Sequence, residues 1–331
     1  MITVAVIAPQ PGDTTSLYRA YGPFGHLERH NPDIRVKYLT REECAEWHKF
    51  QNVDVVFMQR PGGKGHVDAI LALKQYGCKV WVDYDDDYFH VNSDNKGFVG
   101  TVGEEFQNSI LGCIKSADIV TVSTDALAKT IKQKVERAIV VTLKNAVDFR
   151  WWDGILSRRL PKAQRVNWRG LDSHHRDLQS VESEILELAF NNRDWMFGFY
   201  GWNPWFITDK LEKRFDYFKA PIFKYHTDLA LSGGKVGIVP LLDNAFNRAK
   251  SNIAWLELSL TGHGVVAASL PEFYVPGCET YKSGAEFKDK VKAMMDNYEK
   301  HVRTSVEFIE ANYNLKNWNK KRVQILEGLT K

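Results

Sequence analysis

The stretch from Val236 to Ser269 constrains the fold more than any other. An apolar run, Val236-Gly-Ile-Val-Pro-Leu-Leu242, reads as a buried strand. A polar loop follows, and Ser251 stands where a helix N-cap is expected. Asn252 to Leu260 has helical spacing, with Ile253, Leu256 and Leu260 on one face. Gly262 and Gly264 end that helix, and Gly264 to Ser269 reads as the next parallel strand. Arg248, Lys250 and Ser251 gather at the helix N-terminus. Free N–H groups, the positive end of the dipole and two cations favour a diphosphate there. The apolar face by itself suits any α/β core, and Glu257 is equally readable as a solvated helix acid.

Strand-like and helix-like segments alternate through almost the whole chain, the pattern of parallel α/β sheets. In the first half Ile2–Ala8, Ile34–Leu39, Asp54–Gln59, Lys79–Val82, Asp118–Val122 and Ala138–Leu143 read as strands, with a helix over Ser16–His30. Arg165–Gly170 and Trp195–Tyr200 restart the pattern, and Leu178, Val181, Ile185 and Leu188 mark one face of a helix between them. From Ala285 the chain is helical and lysine-rich, with glutamates balancing the lysines as on a solvated face. A length of 331 residues fits two domains at about 150 residues each. The expected fold class is therefore α/β, with two Rossmann-like parallel-sheet domains over residues 1–150 and 165–310. A linker spans 151–164, where Trp151, Trp152 and Pro161 break the periodicity, and a closing helix over 311–331 is free to pack back on the first domain. Two such domains face each other across a cleft, and ligands bind at the carboxyl ends of their strands.

No apolar run approaches the ~20 residues of a membrane span, and Met1-Ile-Thr-Val opens directly as a strand. Neither leader nor anchor nor membrane partner is expected, and the expected location is the cytoplasm. Cys44, Cys78, Cys113 and Cys278 lie far apart in no ligand spacing, which points to free thiols in a reducing compartment. The net charge of +3 permits a polyanionic partner without requiring one.

Asp85-Asp-Asp87 ends a first-domain strand on the cleft side. Alternation puts Asp83, Asp85 and Asp87 on one face and Asp86 on the other. A carboxylate there can take the proton of an attacking hydroxyl, and crowding raises carboxylate pKa values. A turn with helix-capping aspartates and a Mg²⁺ site are the competing readings. His174 and His175 follow a glycine turn, where a histidine bonds a phosphate or a sugar, or lies solvated in a loop. Arg150, Arg158, Arg159, Lys162, Arg165, Arg169 and Arg176 gather in sequence with Trp151, Trp152 and Trp168. Cations interleaved with flat side chains are what a nucleic-acid groove uses, and a tryptophan can replace an extruded base. The alternative is that these arginines serve a diphosphate or a hinge, and Asn145 and Asp148, at a strand exit, are expected to hold that hinge.

Taken in order, Ser16-Leu-Tyr-Arg19, Asp54 to Pro61, Asp83-Tyr-Asp-Asp-Asp87, Ala117 to Thr124, Lys144-Asn-Ala-Val-Asp148, Trp168 to His174 and Phe246-Asn-Arg-Ala-Lys-Ser251 with Glu257 resemble glycosyltransferases of the GT-B type, in the neighbourhood of family four. The Trp-Arg-Gly and Phe-Asn-x-x-Lys-Ser pieces resemble most closely those carried by tailed bacteriophages. The resemblance implies a nucleotide-sugar co-substrate, with no cofactor and no metal. It places the donor on the second domain, at Arg169, Gly170, His174, Tyr200, Arg248, Lys250 and Ser251, with Glu257 on the ribose hydroxyls. Arg169 then offsets the charge of the leaving diphosphate, and one of Asp85, Asp86 and Asp87 is the base. The acceptor falls to the first domain and linker, at Ser16, Arg19, Arg60, Trp151 and Trp152. Family-four enzymes carry a paired glutamate eight positions before the second, where this chain has Ala249, so retention is not implied. The implied reaction moves a sugar from a UDP-sugar to an acceptor hydroxyl, foremost a 5-hydroxymethylpyrimidine in double-stranded phage DNA within an infected host cell. A glycan, lipid or protein acceptor, and a non-catalytic nucleotide- or DNA-binding protein, are the alternatives.

Overall fold

A computed structural model of the chain describes residues 1–9, 12–40, 42–91, 103–156, 162–219 and 222–331. The apolar runs form two sheets of six parallel strands each. The first contains β1 (Ile2–Ile7), β2 (Ile34–Leu39), β3 (Val55–Gln59), β4 (Lys79–Tyr84), β5 (Ile119–Val122) and β6 (Val140–Thr142), in the order β2-β1-β3-β4-β5-β6. The second contains β7 (Ala163–Gly170), β8 (Met196–Gly201), β9 (Phe215–Phe218), β10 (Gly234–Val239), β11 (Gly264–Ala268) and β12 (Cys278–Tyr281), in the order β12-β11-β10-β7-β8-β9. Every residue of β3, β5 and β11 is buried, because helices cover both faces of each sheet. The architecture is GT-B: two Rossmann-like lobes face a cleft.

Strand order reverses once in each sheet, between β1 and β3 and between β7 and β10. Connections leave to opposite sides at such a point, and the crevice between them is where open α/β sheets bind ligands. The second of these points matters below.

Several readings of the sequence are corrected. The helix expected over Ser16–His30 is broken into a turn at Thr14–Ser16, a π-helical turn at Leu17–Tyr21 and a helix at Gly22–His30. A Cβ at Gly22 would lie 2.4 Å from the Leu17 carbonyl oxygen, so the wide turn depends on glycine there. Arg19, read as an acceptor residue, is buried in the first lobe, where Asp83 pairs with it through both carboxylate oxygens at 2.5 and 3.0 Å. Ser16 is also buried, and its hydroxyl donates to Asp13 at 2.9 Å. The linker segment forms a helix, Phe149–Leu156, that packs into the second lobe. Trp152 is fully buried there and presents no acceptor surface, while the half-buried Trp151 stacks edge-on against it and does not line the cavity between the lobes.

The rear of the molecule ties the lobes together. A helix over Gly284–Asn312 covers β10, β11 and β12, and the last helix, Leu315–Thr330, crosses to the first lobe. Leu326 is buried there with Val4, Phe24 and Trp81, and the Asn319 amide donates to the Pro23 carbonyl at 3.0 Å. The two crossings bond to each other, Val147 N–H to Tyr313 O at 2.8 Å and Leu315 N–H to Val147 O at 2.9 Å. Among the described residues no helix is long and apolar enough to cross a membrane.

Candidate active site

A cavity of about 470 Å³ lies between the lobes. Its rear wall is the reversal point of the second sheet: Arg169 and Gly170 end β7, and Val239 ends β10. Gly170 cannot carry a side chain, since a Cβ would sit 2.4 Å from the Trp168 ring. Lys250, Ser251, Ile253 and Ala254 complete that wall. The last two form the first turn of the helix Ile253–Leu260, whose opening N–H groups have no partner within the helix. The front wall comes from the first lobe, with Asp13, Arg60, Asp85, Asp86 and Tyr88.

The N-cap of this helix is Asn252 rather than Ser251. Ser251 accepts a hydrogen bond from the Asn145 amide at 2.9 Å, which stitches the lobes at the cleft floor. Thr124, from the first lobe, adds a second stitch by donating to the Ala249 carbonyl at 2.8 Å. The helix is buried on nearly every side from Trp255 to Leu260, not on a single apolar face. Arg248 turns outward, pairs with the exposed Asp243 and does not line the cavity. The expected anion site therefore keeps Lys250 and loses Arg248, because the short helix Ala245–Arg248 ends between them and turns the two side chains apart.

The acidic triplet divides. β4 stops at Tyr84, so strict alternation ends before the aspartates. Asp85 is held by both arms of the Arg60 guanidinium. Asp86 Oδ1 lies 3.3 Å from Lys250 Nζ across the cleft, and its Oδ2 lies 3.7 Å from Arg60 Nη2. Asp87 is buried away from the cavity, where it accepts from the Phe89 N–H at 3.1 Å and from Thr130 at 3.2 Å and pairs with His90 at 2.8 Å. It is the turn-holding member. Crowding does not raise Asp86: burial pushes it up, but Lys250 and Arg60 outweigh burial and hold it below its ordinary value. His174 lines the cavity with Nδ1 2.9 Å from Asp177, and burial lowers its pKa against that aspartate.

Glu257 does not reach the cavity. It is fully buried, and it joins both lobes: Tyr18 of the first donates to Oε1 at 3.0 Å, and His226 Nε2 bonds the same oxygen at 2.8 Å. Arg169 pairs with Oε2 at 2.6 Å. Burial alone would raise this carboxyl, yet Arg169 and His226 hold it down to about 2. The expected ribose contact is thus replaced by a carboxylate that fixes Arg169. Tyr18 and His226 were not singled out by the sequence. Nor does Tyr200 line the cavity; it is buried in the second lobe and stacks on Phe218.

Among the described residues, several members of the arginine and tryptophan gathering around the linker are engaged within the second lobe. Trp152 and Trp168 are core residues, Arg165 pairs with Asp216 at 2.6 Å, Arg169 is committed to Glu257, and Lys162 donates to the carbonyls of Gly234 and Thr261. Arg158 and Arg159 lie outside the described residues. Among the described residues no group of three or more His, Cys, Asp or Glu is placed to hold a metal ion.

Replacing Glu257 by Gln is expected to destabilise the fold by about 1.5–3 kcal/mol, the worth of hydrogen bonds to a charged group, because the half-buried Arg169 loses its counter-charge. Denaturant unfolding measures this directly. The folded pKa of Glu257 is depressed, so the stability it contributes is complete above its ordinary value of 4.5 and is lost as pH falls toward 2.

No protein-family model matches the sequence, and no curated protein matches it. Solved structures do. The chain is similar to a sucrose-phosphate synthase from Thermosynechococcus elongatus, at 11% identity and TM-score 0.70, over 99% of each chain. It is also similar to TarM of S. aureus, solved with UDP and an α-GlcNAc-glycerol, at 12% identity and TM-score 0.64. That match covers 86% of this chain but only 58% of TarM. A putative UDP-N-acetylglucosamine 2-epimerase from Listeria monocytogenes has TM-score 0.61 at 11% identity, over 97% of this chain and 95% of that one. At such identities the shared property is the two-lobed GT-B fold.

Proposed function

We propose that the protein transfers a sugar from a UDP-sugar to an acceptor hydroxyl. One observation carries the reading: both lobes bring their strand ends to a single cavity, with Lys250, Arg169 and an open helix start behind and Asp86 in front. A diphosphate against the rear wall takes charge from Lys250 and Arg169 and hydrogen bonds from the first turn of the helix. Asp86 takes the acceptor proton as that oxygen bonds to the anomeric carbon, and the bond from that carbon to the diphosphate breaks, releasing UDP. Negative charge grows on the leaving group, and fixed cations stabilise it without reorganising. In this reading no metal is needed for that charge.

TarM was solved with UDP, and the Listeria protein is named for UDP-N-acetylglucosamine, which supports the donor class. For the acceptor, a 5-hydroxymethylpyrimidine in duplex DNA is tested first, on the bacteriophage-like motifs and the net charge of +3. Arg165, Lys162, Trp152 and Trp168 of the linker gathering are engaged within the second lobe, so this acceptor stands on the motifs and the charge. The test incubates labelled UDP-sugars with hydroxymethylpyrimidine DNA, unmodified DNA and small neutral alcohols. Label on the first alone supports DNA modification, and label on the alcohols supports a small-molecule acceptor. Epimerised donor without transfer, or no turnover of any UDP-sugar, overturns the proposal.

A further inference from the structure

Asp177 is a buried carboxylate that the transfer reaction leaves unused. It lies in the short helix His175–Gln179, just after the cavity-lining His174. Its Oδ1 accepts from the Leu242 N–H at 2.9 Å and from the Asn247 side-chain amide at 2.8 Å. That amide also donates to the Leu242 carbonyl at 3.0 Å, so the loop after β10 and the helix Ala245–Arg248 clamp the carboxylate from one side. The asparagine of Phe246-Asn-Arg-Ala-Lys-Ser251 therefore fixes Asp177 and does not line the cavity. Oδ2 is left for His174, whose Nδ1 lies 2.9 Å away.

An ionised carboxylate only accepts, so Nδ1 carries the proton of the neutral ring and Nε2 is a bare acceptor. Among the described residues Nε2 has no hydrogen-bond partner. The charged groups around the ring are Asp177 behind it, Arg169 at the end of β7 and Lys250 before the helix Ile253–Leu260. Asp86 senses the ring from across the cleft, and Asp172 lines the same cavity. Burial, with Lys250 and Arg169 in support, holds His174 below its ordinary 6.5 against the pull of Asp177. A diphosphate on the rear wall changes that balance. It cancels the two cations, and its oxygens, like Nε2, only accept. Two acceptors facing each other leave both unpaired, which is unfavourable away from water. One proton on Nε2 removes the conflict and gives Asp177 a full positive charge to meet.

We infer that Asp177 is the positioning residue of a proton-coupled donor site: His174 is neutral in the free protein, takes one proton from solvent as the diphosphate arrives, and hydrogen-bonds a phosphate oxygen through it. The proton stays on Nε2 until UDP leaves. The inference rests on the UDP-sugar reading and adds a third cation to the rear wall, present only while donor or UDP is bound. One proton offsets only part of the charge that the diphosphate brings, so Asp86 still titrates higher in the donor complex.

The test records histidine ring-nitrogen NMR shifts in isotope-labelled protein near neutral pH, with and without saturating UDP. The His174 signals are those lost in His174→Gln. Without UDP the ring should be neutral with its proton on Nδ1, and with UDP it should carry both protons. Asp177→Asn should move the proton of the free ring to Nε2. The Leu242 N–H keeps the asparagine oxygen, so the asparagine amide donates where the carboxylate accepted. UDP should then bind that variant with the ring still neutral. The bound state of the parent holds the extra proton, so its UDP affinity should fall as pH rises above neutrality, by up to about tenfold per pH unit. His174→Gln should remove that dependence and bind UDP about tenfold more weakly at neutral pH, the effect of removing the charge from one hydrogen bond. A ring that stays neutral with UDP bound, a ring already charged without it, or an Asp177→Asn protein that keeps the parent's tautomer would each overturn the inference while UDP still binds. UDP failing to bind the parent protein sinks the donor reading, and the inference with it.

Discussion

Asp86→Asn is expected to cut sugar transfer by about 10²–10⁴-fold, the range contributed by a positioned general base, while UDP binds at least as tightly as before. The two halves of this result have one origin. Lys250 Nζ lies 3.3 Å from Asp86 Oδ1, so the cation that is to meet the diphosphate is held by the carboxylate that is to take the proton. Asparagine frees Lys250 for the donor and removes the base. In the parent protein the donor itself makes the exchange: the diphosphate takes Lys250, and Asp86 loses the cation that depresses its pKa most. The sign follows. Asp86 titrates lower in the free enzyme than in the donor complex, so the acidic limb of kcat falls at higher pH than that of kcat/KM. Paired pH–rate profiles measure the separation. Asp87→Asn is the control, since that side chain holds a turn behind the cavity and should leave turnover in place. Coincident acidic limbs, together with an active Asp86→Asn, would move the base elsewhere.

The sheets were legible in the sequence because central parallel strands are buried on both faces and appear as unbroken apolar runs, as in Val55–Gln59. The two strands that gave no signal are β9 and β12, at the edges of the second sheet, where Phe215-Asp-Tyr-Phe218 and Cys278-Glu-Thr-Tyr281 are short and half-exposed. That Arg169, Lys250, Ser251 and Asp86 line one cavity was legible for a different reason: they lie at or beyond strand ends, and topology brings strand ends to one side. Tyr18 and His226 were not. They meet Glu257 across 239 and 31 residues of sequence, and nothing local marks either as its partner. Trp151 and Trp152 misled because a short amphipathic helix of eight residues offers too little periodicity to distinguish from a linker.

Lys250→Ala should weaken UDP binding by about 10–100-fold, the worth of a charge-assisted hydrogen bond. Turnover should fall by about 10²–10³-fold, as when one fixed donor to a developing charge is removed. Both fall because the diphosphate gains charge as the sugar departs, so the lysine contributes more in the transition state than in the ground state. Lys250→Arg is not a neutral exchange: the ammonium also lies 4.5 Å from the centre of the Phe246 ring, and a guanidinium is longer and planar. The double variant with Asp86→Asn separates structure from chemistry. If the two side chains only hold the lobes together, the second substitution adds nothing to the first in either UDP affinity or turnover. If they act on opposite substrates, turnover losses compound, while UDP affinity in the double variant matches that of Lys250→Ala, because asparagine has no lysine left to release. Unchanged UDP affinity in Lys250→Ala would take the diphosphate away from the second lobe, and with it the assignment of the cavity.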